Sequence, residues 1–112
     1  MSVTASFTSN RTSDANTHEI PVCTEALFRD IFSPLANRLD LGLVIRWGTM
    51  AEITIANYPE LSDQLTKLDA AVSSDETLTQ ALKDHTTSRL KLLREEMNIF
   101  FSRTPDGIVF IG

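Results

Sequence analysis

Ser74–Phe101, SDETLTQALKDHTTSRLKLLREEMNIFF, is the longest stretch of this chain with helical punctuation and helical spacing. Ser74 reads as its N-cap, because a serine hydroxyl accepts from the free amides of a first turn. Asp75 and Glu76 then suit the positive end of the helix dipole. No Gly or Pro interrupts the run, and good helix formers fill its centre. At about 100° per residue, Leu78, Ala81, Leu82, Leu92, Leu93, Ile99 and Phe100 share an arc, widened on one flank by Leu90, Met97 and Phe101. So broad an arc predicts a helix touching two other elements. Within it, His85, Arg89 and Glu96 fall on one line along the helix. They form the one polar constellation that stands out, either a strip for a partner or ligand or a set of solvated side chains.

Upstream, Leu61, Leu65, Leu68 and Val72 mark a shorter amphipathic helix, with Pro59 at its start. The short link at Ser73-Ser74 predicts an antiparallel helix pair. Before it, Leu43–Trp47 is rich in β-formers, and Ile53 and Ile55 alternate with Glu52 and Thr54. Two strands turning near Gly48 and Thr49 are the simplest reading. Thr24 opens a further helical pattern through Leu27, Phe28, Ile31, Phe32, Leu35 and Leu39. Pro34 either kinks this helix or, with Ser33 as cap, starts a second, and Gly42 stops it. At the other end, Pro105-Asp106-Gly107 is a turn and Ile108–Ile111 a buried strand. Residues 98–103 read either as a last helical turn or, slightly preferred, as a hairpin partner of that strand.

Residues 1–20 differ in composition. Eight of the twenty are Ser or Thr, and no Leu precedes Leu27. The expectation is a flexible tail, with residues 21–112 as a single domain. The alternation Val3, Ala5, Phe7 allows an edge strand instead. In composition alone the leader is similar to the export signals of bacterial type III secretion substrates, which would imply export without a cleaved signal peptide. The fold class predicted is α+β: an N-terminal helix, a β-hairpin, an antiparallel helix pair and a C-terminal strand or hairpin, with a small antiparallel sheet covered by helices.

At 112 residues the chain has room for one modest core. A net charge of −5 argues against nucleic-acid binding over the whole surface and mildly against anionic membranes. No apolar run reaches membrane-spanning length and no Sec signal opens the chain, so the expected location is the cytoplasm. Cys23 is the only cysteine, which rules out an intramolecular disulfide and a cysteine metal site. With four glycines, and two histidines 67 positions apart, there is no phosphate-cradling loop, dinucleotide fingerprint or histidine pair at metal-ligand spacing. No cofactor is expected.

What remains is a small, acidic, non-catalytic protein-interaction module, docking through an apolar helix face or a strand edge. Acidic residues over 57–82, among them Glu60, Asp63 and Asp69, would steer a partner protein with a basic surface. Arg46 and Trp47 are further contact candidates, since both residue types are frequent among binding hot spots, although a lone tryptophan in a small domain is more often core. His85, Arg89 and Glu96 complete the set of candidate contacts. The alternative is a structural subunit of a homo- or hetero-assembly. An enzyme of unrecognised type would have only His85, Arg89 and Glu96 to work with.

Overall fold

A computed structural model describes residues 2–8 and 18–112 of the chain. The architecture is α+β, with four antiparallel strands and helices packed on one face of their sheet. Strands β1 (Ser2–Thr8) and β2 (His18–Thr24) form a hairpin. A helical segment follows, made of α1 (Glu25–Leu27), a π turn (Phe28–Phe32) and α2 (Ser33–Leu39). Next come α3 (Gly42–Ile45), a 3-10 turn (Arg46–Gly48) and β3 (Ala51–Ile53). Helices α4 (Tyr58–Ser73) and α5 (Gln80–Arg103) precede β4 (Ile108–Ile111). The strand order is β2-β1-β4-β3.

The Ser/Thr-rich leader is therefore not a tail over residues 2–8. Ser2–Thr8 is an interior strand, paired with β2 on one side and β4 on the other. Val3, Ala5 and Phe7 are buried, and Phe7 meets Phe100 edge to face at 5.3 Å. The apolar residues sit at every second position and the Ser/Thr residues occupy the opposite face. Average composition conceals that arrangement. Of the rest of the leader, 18–20 belong to β2 and 9–17 lie outside the described residues.

The helical segment starts where Thr24 predicts, its Oγ1 accepting from the Leu27 amide at 3.0 Å. Pro34 does not break it. The Ser33 amide reaches back five residues to Phe28, and this widened π turn makes room for a ring that cannot donate to the turn before it. The stop is Asp40, in the left-handed region at φ 58°, and not Gly42. Gly42 opens α3, so the strand expected over Leu43–Trp47 is helical instead. Gln64 of α4 decides this locally: its Oε1 accepts from the amides of Leu43 (2.9 Å) and Val44 (3.4 Å), which a helix start would otherwise leave bare. Helical spacing then buries Leu43, Val44 and Trp47 together, and the packing outweighs β propensity.

Helices α4 and α5 form the antiparallel pair, with a later start for the second. Ser74 finishes α4, its Oγ donating to the Ala70 carbonyl at 3.0 Å. The Asp75 carboxylate accepts from both the amide and hydroxyl of Thr77, and Thr79 is the N-cap of α5, accepting from the Leu82 amide. The buried line of α5 is Thr86, Leu90, Leu93, Met97 and Phe101, facing Leu61, Leu65, Leu68 and Val72 of α4. Ala81 and Ile99 are exposed, so the arc is narrower than expected and centred on its flank. Residues 98–103 are helix, not strand. Continuing the helix buries Phe101 on that line and lets the Tyr58 hydroxyl donate to Asn98 Oδ1 at 2.6 Å. The turn at Pro105-Asp106-Gly107 holds. Gly107 is required there because a Cβ would run into the Phe100 ring.

Candidate functional site

Strand register divides the sheet into two unlike faces. Val3, Ala5, Phe7, Ala51, Ile53, Val109 and Ile111 point into the core and are buried. On the opposite face none of the strand residues is buried: Thr4, Ser6, Thr8, Ile108 and Phe110 are half-buried, and Glu19, Pro21 and Glu52 exposed. Among the described residues, this second face is the open side of the sheet. Its middle row crosses all four strands, because Glu19 pairs with Ser6, Ser6 with Phe110, and Phe110 with Glu52. A phenyl ring thus stands between glutamates on the two outermost strands, whose backbones are about 14 Å apart at three inter-strand steps of about 4.8 Å. In the next row Thr8 Oγ1 donates to the Ile108 carbonyl at 3.0 Å. On the other side Met50 is 55% exposed, and its sulfur lies 3.0 Å from where a Cβ of Gly112 would stand. Phe110, Ile108 and Met50 give the face an apolar middle, and none of the four strands contains Lys or Arg.

The edges of the sheet are less inviting. Thr4 exchanges both backbone hydrogen bonds with Gly112, each at 3.1 Å, so its pairing with Pro21 on the other side is of the non-hydrogen-bonded kind. The N–H that Pro21 lacks is then missing from the outer edge of β2, which also carries a bulge beside it. At β3, Asn57 closes the outer edge: its Nδ2 donates to the Glu52 carbonyl (3.0 Å) and its Oδ1 accepts from the Thr54 amide (2.7 Å).

The residues singled out from sequence do not gather into one site. Trp47 is 1% exposed and stacks edge to face on Phe32, so it is a core residue and not a contact. Arg46 beside it is exposed. Glu60 and Asp63 are exposed on α4, Asp63 paired with Lys67 at 3.1 Å, while Asp69 accepts from the Thr87 hydroxyl at 2.9 Å. His85 is exposed, and Arg89 and Glu96 half-buried, along one side of α5. His85 and Glu96 are eleven positions apart, about 16 Å along a helix, too far to act on one reacting atom. Sequence reading missed the row itself. Glu19 fell within the expected tail, and in Ile108–Ile111 four consecutive apolar residues hide which two face outward.

Beyond the sheet, a cleft of about 480 Å³ lies at the end where β1 begins, lined by Ser2, Phe28, Arg29, Ser33, Trp47 and Thr49 among others. The Trp47 indole N–H is buried with no acceptor among the described residues. Arg29 is engaged with Asp30, its Nε 2.9 Å from Oδ1, which holds the Asp30 carboxyl below its ordinary range. Cys23 is buried, and desolvation pushes its thiol up to about 12, so it carries no thiolate near neutrality. Among the described residues no group of three His, Cys, Asp or Glu is placed to hold a metal, and no helix is long and apolar enough to cross a membrane. Comparison with protein-family models, with characterised proteins and with solved structures gives no match.

Proposed function

We propose that this protein is a non-catalytic interaction module that docks another protein on the open face of its sheet. The observation that supports the reading most is the half-buried Phe110 and Ile108 at the middle of a four-stranded face, with the exposed Met50 beside them. An aromatic anchor with apolar neighbours and a polar rim is the usual composition of a docking centre. The interruption of the β2 edge at Pro21 and the Asn57 contacts along β3 favour the face over strand addition. Acidic residues at the rim suit a partner with basic character.

The test is co-purification with tagged protein, comparing the parent chain, Phe110→Asp and, as a control on the far side of α5, Lys91→Ala. A stoichiometric partner retained by the control and lost with Phe110→Asp supports docking on this face. A partner that Phe110→Asp retains, while the variant keeps its far-UV spectrum, would move the site elsewhere. If the chain recovers only itself and its mass rises with concentration, the protein is a subunit of an assembly.

A further inference from the structure

Resting on the docking reading above, we infer that the occupant of the open face is an amphipathic helix bearing Lys or Arg along both margins of its apolar stripe. The row Glu19–Ser6–Phe110–Glu52 carries the argument. Its two carboxylates are exposed, they sit on the outermost strands, and the aromatic ring lies between them on an inner strand. A helix with its side chains is about 10–12 Å across. Laid along β1 and β4, it would set its apolar stripe on Phe110 and Ile108 and overhang one carboxylate on each side. The two glutamates stand on strands whose backbones are about 14 Å apart, a span that basic side chains at the two margins of such a helix can reach. Charge settles which helix fits. Glu19 and Glu52 have no Lys or Arg on the strands to neutralise them, and the Ser6 hydroxyl is near Glu19 Oε1 at 3.4 Å. A second copy of this chain would bring its own Glu19 and Glu52 to the same face, and an acidic helix would repel both.

The probe is a fluorescein-labelled helical peptide of about five turns, with a Leu/Ala stripe and Lys at both margins, titrated by anisotropy. Its isomer with Glu at the margins is the control. The Lys peptide is expected to bind, with affinity falling as salt is added, and the Glu peptide not to bind. Reversing both carboxylates, Glu19→Lys with Glu52→Lys, is expected to weaken the Lys peptide about tenfold, as two exposed pairs become two repulsions. The same reversal should admit the Glu peptide. Asp84→Lys with Glu95→Lys changes net charge equally but lies at exposed positions of α5, and is expected to leave binding within about twofold. Equal loss from the two double variants would overturn the proposal in favour of unspecific attraction to an acidic chain. So would binding of both peptides alike, or no binding of the Lys peptide. A Phe110-dependent partner that persists through the Glu19 and Glu52 reversals would leave docking on this face standing and remove the basic helix. A dimer that Phe110→Asp dissolves would put a second copy there instead.

Discussion

Gln64 shows how one side chain redirects a segment. Its amide oxygen receives two backbone amides from the start of α3, and the residue is 7% exposed. Replacing it with Leu would leave two buried donors without partners, at about 1–3 kcal/mol each. Gln64→Leu is therefore expected to lower the urea midpoint by more than an ordinary surface change, whereas Gln80→Leu, exposed on α5, should not. Trp47 makes the complementary case. Its ring fills the core while its N–H finds no acceptor, so Trp47→Phe should cost far less than the 3–5 kcal/mol or so of Trp47→Ala. Cys23 adds a pH dependence. The folded thiol holds its proton up to about 12 and an unfolded one only to about 9, so the native state binds more protons between those values. Stability from this group is complete below pH 9 and declines as pH rises above it. Thiol labelling at pH 8 should be slow in the native protein and fast in denaturant. Neither Gln64 nor Trp47 was assignable from sequence. A polar residue on an amphipathic helix gives no sign that another helix start will dock on it, and a lone tryptophan carries the same letters in a core and in a contact.

At the level of elements, periodicity was readable and termini were not. The line Leu61, Leu65, Leu68, Val72 located α4, and all four are fully buried. Each contributes roughly 1.5–3 kcal/mol of apolar transfer, enough to outweigh details of capping. The start of α5 depended on those details. Ser74 and Thr79 both suit an N-cap, and only the docked position of α4 decides that Ser74 bonds backward to Ala70 while Thr79 bonds forward to Leu82. Thr79→Ala is expected to cost about 1 kcal/mol of stability by losing the cap of α5. The far end of α5 was ambiguous because Ile99, Phe100 and Phe101 suit either a strand or a helix. The stripe ending in Phe101 and the Tyr58–Asn98 hydrogen bond select the helix. The short β-rich run at Leu43–Trp47 misled for the same reason, since five residues do not separate a strand from about one and a half turns of a helix.

For the whole molecule, the α+β class and the helical cover were legible, but the centre of the sheet was not. The strand that separates β2 from β4 lies in the segment poorest in leucine, where Val3 and Phe7 supply the buried surface. Those two side chains alone represent about 3–6 kcal/mol of burial, against a total stability of 5–15 kcal/mol or so for a domain of this kind. Deleting residues 1–8 would also strip one side of β4 of its hydrogen bonds, and the truncated chain is expected to show no cooperative thermal transition. The open face depends on the same strand, because Glu19 and Phe110 share a row only through Ser6. The measurement that bears most directly on this account is native-state amide hydrogen exchange over Ser2–Thr8. Protection close to that of Ile108–Ile111 is the predicted result, as expected for an interior strand paired on both sides. Exchange at the rate of an unstructured peptide would contradict it, removing β1 from the sheet and with it the docking face.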